Sequence, residues 1–116
     1  METTDEKITR LTAFWYEYVN IDHHKDRDCH FYIEKHWAYG EPPTYAAYHE
    51  GYIAERWHGP RRKTHAEAQY DLVEFLEGEI TSAVERSLEP TNSEGWGWTQ
   101  DDCTRVQGLA KKYGVA

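Results

Sequence analysis

Hydrophobic patterning along the chain changes period twice. Over residues 4–20, Ile8, Leu11, Trp15 and Tyr18 recur at three- and four-residue spacing with Phe14 and Ile21 beside them, which predicts an amphipathic helix. The period then falls to two: Phe31, Ile33, Trp37 and Tyr39 alternate with His30, Tyr32, Glu34 and His36, as in a half-buried strand. Gly40-Glu41-Pro42-Pro43 predicts a turn, and residues 44–49 a second strand. Glu50-Gly51 predicts a tight hairpin into a third run over residues 52–58, ended by Gly59-Pro60. Helical spacing returns over residues 65–88, with Leu72, Val73, Leu76, Ile80, Ala83 and Val84 on one face and Pro90 as the stop. A last helix over residues 100–113 aligns Cys103, Val106, Ala110 and Tyr113, with Gly114 as its natural end. Residues 90–98 form a turn-rich linker whose Trp96 and Trp98 are expected to fold back onto the body.

Each predicted helix is announced by a Thr followed three residues later by an acid: Thr3/Glu6, Thr64/Glu67 and Thr99/Asp102. Such a pair satisfies two orphan amides reciprocally, and the shorter Asp makes the third the weaker version. The expectation is a single α+β domain over residues 1–116. Its order is α-β-β-β-α-α, a three-stranded antiparallel meander packed on helices.

Five Trp, nine Tyr and three Phe supply large buried area per residue, which excludes an intrinsically disordered chain. Cys29 and Cys103 match no metal or redox spacing, nothing reads as a secretory signal, and no apolar run approaches the roughly 20 residues of a bilayer span. A soluble, reduced, cytoplasmic protein without membrane contact is therefore expected.

The formal net charge of −8 is unevenly placed. Residues 64–89 hold seven acids against Arg86 alone, whereas residues 22–63 balance seven acids with seven bases and hold six of the seven histidines. In its order of elements the chain is similar to double-stranded-RNA-binding domains, and its strand-strand-strand-helix part to the core of HicB-type antitoxins. The RNA-binding arrangement wants lysines inside the start of the second helix. Here Arg61, Arg62 and Lys63 precede the cap and Glu67 follows it, so direct nucleic-acid binding is disfavoured.

Two surfaces are candidates for function. If Gly40–Pro43 closes a four-residue hairpin, Glu34 lies across from His49 and His36 from Ala47. With a Glu50-Gly51 turn, the open sheet face then displays His30, Tyr32, Glu34, His36, Tyr45, His49, Tyr52, Arg56 and His58 around a floor of Ala38, Ala47 and Ala54. Such a face suits a partner protein, a planar or anionic ligand, or a second copy of the chain. The second surface is an acidic stripe of Glu67, Asp71, Glu74, Glu85 and Glu89, opposite the apolar face of the second helix, which would meet a basic partner.

Arg61, Arg62 and Lys63, just before a helix N-terminus, form a candidate anion-binding run, with pairing to the chain's own acids as the alternative. No closed metal-ligand pattern exists: His23-His24 fits no recurrent spacing, and His30 and His36 stand about 20 Å apart along a strand. No metal or other cofactor is implied. No nucleophile motif or phosphate loop is evident, so an enzyme is the minority reading, with His36, His49 and Glu34 as its catalytic group. The preferred expectation is a small acidic protein-binding module. Its most concrete version is an inhibitor or antitoxin-like protein acting on a basic, nucleic-acid-handling partner. A His/Glu/Tyr ligand pocket on the sheet face and a homodimer through that face are the alternatives.

Overall fold

A computed structural model of the protein describes residues 1–22, 25–53, 55–89 and 97–115. Its elements are α1 (Thr4–Tyr18), β1 (Cys29–His36), β2 (Thr44–Gly51), β3 (Arg56–His58), α2 (His65–Leu88) and α3 (Gln100–Lys112). This is an α+β fold in the order α-β-β-β-α-α, with an antiparallel sheet ordered β1-β2-β3. Among the described residues, no helix is long and apolar enough to cross a membrane.

All three Thr residues cap their helices, but the reciprocal bond is distributed differently from expectation. Thr3 with Glu6 and Thr99 with Asp102 form complete boxes, the shorter Asp102 reaching back to the Thr99 amide at 3.0 Å. At α2 the Thr64 hydroxyl accepts from the Glu67 amide at 3.2 Å and itself donates to the Glu67 carboxylate at 2.9 Å. The Thr64 amide is thereby left out. The C-terminal end of α3 closes as a Schellman motif: Gly114 takes φ +65° and the Val115 amide reaches the Ala110 carbonyl at 2.9 Å.

Helix α2 is central, packed by α1, α3 and the sheet. Leu72, Leu76, Ile80 and Ala83 meet Leu11, Phe14, Trp15 and Tyr18 of α1 and Val106 of α3 in one core. Trp98 folds back as expected, its ring edge-on to Tyr18 at 6.0 Å beneath the Arg86 guanidinium. Pro90 and Trp96 lie outside the described residues. Both cysteines are free and buried.

The register departs from the simple hairpins. Residues 37–43 all lie outside the strands, with Gly40 at φ +78° and a turn bond from the Glu41 amide to the Ala38 carbonyl. Pro42 and Pro43 lack amide donors and cannot extend the ladder, so Trp37 and Tyr39 stay unpaired and exposed. Pairing places Glu34 opposite Ala46 and His49 opposite Phe31. Relative to the expected Glu34–His49 pair this slip is odd-numbered, and an odd slip moves a side chain through the sheet.

At the other end Glu50 and Gly51 belong to β2, and the reversal occurs after Gly51. Asp26 sets it. One carboxylate oxygen accepts from the amides of Ile53 (3.0 Å) and Glu55 (3.3 Å), while the Asp26 amide donates to the Glu55 side chain at 3.0 Å. Gly51 is needed there because a Cβ would collide with that Asp26 oxygen and stand 2.9 Å from the Asp26 Cβ.

Beyond β3 the ladder resumes with a β-bridge between Tyr45 and Arg62. The β2–β3 register pairs Tyr48 with His58, so one extra residue is inserted around Gly59-Pro60, a bulge that turns Arg62 toward the helices.

Candidate functional site

Helices cover the sheet face that bears Phe31, Ile33, Ala47, His49 and Trp57, as Trp15 against Phe31 and Phe75 against Trp57 show. The opposite face carries His30, Tyr32, Glu34 and His36 from β1, Ala46, Tyr48 and Glu50 from β2, and Arg56 and His58 from β3. Three residues expected there are elsewhere. His49 is 3 % exposed on the helix side, Tyr45 packs edge-on to His65 of α2 at 5.9 Å, and Tyr52 is exposed in the β2–β3 turn. The floor is also altered: Ala47 is buried under the helices, Ala38 lies in the β1–β2 connection, and Ala54 is outside the described residues. Ala46 is the buried small residue of the open face. His36, Glu34 and His49 do not converge, since the sheet separates His49 from the other two.

Tyr48, which the expected register turned inward, is the centre of the open face. Its ring stacks on Tyr32 at 5.1 Å and 11°, and Tyr32 stacks on His30 at 5.3 Å. On the other side Tyr48 approaches His58 at 6.1 Å, and its hydroxyl lies 2.9 Å from His36 Nε2. A ladder of rings therefore crosses all three strands. Burial, aided by the adjacent Glu50 carboxylate, pushes the Tyr32 phenol up to about 12, so it stays a neutral hydrogen-bonding group at physiological pH. Exposed Trp37 and Tyr39 extend the apolar surface beyond the β1–β2 end, and Tyr52 and Ile53 beyond the β2–β3 end. Glutamate at position 50 was the sequence signal for this parity, because a charge in the β2 alternation marks residues 46, 48 and 50 as outward.

The charged candidates are altered too. Asp71 is 7 % exposed and leaves the acidic stripe, because the bulge delivers Arg62 to it in a two-pronged pair at 2.8 and 3.0 Å. Arg62 is thereby removed from the anion-binding run, whose Arg61 and Lys63 are exposed. Glu67 is engaged at the α2 cap, while Glu74, Glu85 and Glu89 are exposed. His23 and His24 lie outside the described residues. Among the described residues no group of three His, Cys, Asp or Glu side chains could hold a metal ion.

A cavity of about 320 Å³ lies on the helix side of the sheet, walled by Trp15, Trp57 and Phe75 with His49 in its lining. The His49 ring is stacked on Phe31 at 4.4 Å and meets Trp15 edge-on at 5.5 Å. Its Nε2 is buried without a hydrogen-bond partner among the described residues. Burial lowers the His49 imidazole below its ordinary 6.5, with Lys25 adding to that effect and Glu55 opposing it. The unfolded chain then binds the proton more readily. The stability tied to this site is full above about pH 6.5 and is lost as pH falls through the lowered folded value. Thermal melts between pH 7.5 and 5.5 are expected to show a declining Tm for the wild type and a flatter profile for His49→Phe. Parallel profiles would mean that His49 is not the group responsible.

No family model, curated protein or solved structure matches the chain.

Proposed function

We propose that the chain is a protein-binding module that docks a partner protein on the open face of its sheet. The reading is carried by the ring ladder His30–Tyr32–Tyr48–His58, which offers rigid, amphipathic contact area of the kind that dominates binding hot spots. A protein partner is favoured over nucleic acid because, among the described residues of the three strands, Arg56 is the one Lys or Arg on this face, beside Glu34 and Glu50, on a chain of net charge −8. Little phosphate charge would be neutralised there. The acidic stripe supports an inhibitor of a basic partner less well, since Asp71 is turned inward and Glu67 serves its helix cap.

Site-specific photo-crosslinking in the native host tests the reading, with a benzophenone side chain at Tyr48 and, as the far-side control, at Glu85. A discrete adduct with one other protein from position 48 alone is the expected result. Tyr48→Ala should then weaken that complex by about 2 kcal/mol, roughly 30-fold, without changing the fold. An adduct of the chain with itself would replace the partner by a second copy. Adducts from Glu85 alone would move the function to the acidic helix.

A further inference from the structure

The cavity beneath the sheet has a mouth with a definite preference. Lys25 Nζ stands there 3.1 Å from Glu55 Oε1, 3.8 Å from Glu79 Oε2 and 5.3 Å from the centre of the Trp15 ring. A cation is thus held by an aromatic face and two carboxylates, the combination that recognises organic ammonium groups. Behind it, Trp57 and Phe75 stack at 4.1 Å as one wall, and His49 offers a buried nitrogen lacking a partner among the described residues. Leaving such an atom unsatisfied carries a desolvation cost in the folded protein. The volume of about 320 Å³ is in the range of small-ligand pockets.

We propose that this cavity binds an organic ammonium ion with a short aromatic or alkyl body, its charged head taking the position that Lys25 occupies. Lys25 is the chain's own stand-in for that head, delivered by the connection between α1 and β1. Displacing it leaves the Glu55 and Glu79 carboxylates at the mouth without their cation, so the mouth becomes more negative and selects a cation. The ligand's body lies along Trp15 and the Trp57–Phe75 wall. Because the site is self-occupied, apparent affinity is reduced by the fraction of time the mouth is open.

Titration with 2-phenylethylammonium, followed by tryptophan fluorescence and the His49 ring signals, decides the matter, with neutral 2-phenylethanol as the control. The ammonium should bind the wild type and bind Lys25→Ala about tenfold more tightly, as removal of an internal competitor requires. The alcohol should show no comparable gain. Glu79→Gln, at the rim, should weaken binding to the otherwise unaltered protein, which keeps the test open if Lys25→Ala does not fold. Equal affinity for wild type and Lys25→Ala, an equal gain for the alcohol, indifference to Glu79→Gln, or no binding at all would each overturn the proposal. None of these outcomes bears on the open face, whose docking role is read separately.

Discussion

Trp15→Ala is expected to destabilise the protein by about 3–5 kcal/mol, the range for removing a large ring from a packed core. Trp15 is 1 % exposed and joins α1 to the sheet. Its ring meets Tyr18 on its own helix at 5.5 Å, Phe31 of β1 at 6.1 Å and His49 of β2 at 5.5 Å. It also forms a wall of the cavity, so truncation would enlarge a space that already exists instead of letting the core collapse. Urea denaturation, comparing midpoints at matched slope, measures the loss. Trp15→Phe should lose less than half as much. A loss for the alanine variant below about 1.5 kcal/mol would mean that the helix–sheet junction is not where stability is concentrated.

Arg86→Met should cost a comparable amount, about 3–5 kcal/mol, for an electrostatic reason. Asp22 is buried just after α1, and the Tyr18 hydroxyl donates to its carboxylate at 2.5 Å. Arg86 Nη1 lies 3.6 Å from the same carboxylate and donates to the Tyr18 oxygen at 3.3 Å. Burial and the Asp22 carboxylate together push the Tyr18 phenol far above its ordinary range, so it acts only as a neutral donor. Methionine keeps the aliphatic stem but leaves a negative charge in a low-dielectric site without its guanidinium. The measurement is chemical denaturation of Arg86→Met, Asp22→Asn and the double variant. The double variant should be less destabilised than the sum of the singles, because removing both charges avoids leaving the carboxylate without its guanidinium. Strict additivity would show that the two groups do not act together.

The helices were legible because their signals are local. A Thr and an acid three residues apart, an apolar stripe at helical spacing, and Gly114 at the end suffice for α1, α2 and α3. The strands were legible in number and order and, within β1, in the face each side chain takes, but β1 stops at His36, short of Trp37 and Tyr39, and β3 covers only Arg56–His58 of the run expected over residues 52–58. The mutual register of the strands was not legible, because distant groups set it. The reversal after Gly51 is held by Asp26, which precedes β1, and the β1–β2 connection is lengthened by two prolines that cannot pair. One odd slip then exchanged Tyr48 and His49 between the two faces. The same dependence explains the charges: without the bulge near Pro60, nothing local says that Arg62 will turn inward to Asp71.

Strand β3 is only three residues long, yet it borders both proposed binding regions: Arg56 and His58 face the ring ladder, and Trp57 faces the cavity. So short a segment has little means of accommodating movement on one side without transmitting it to the other. Thermodynamic reciprocity then applies. Whatever factor an amine in the cavity imposes on the affinity for a docked protein, that protein must impose on the affinity for the amine.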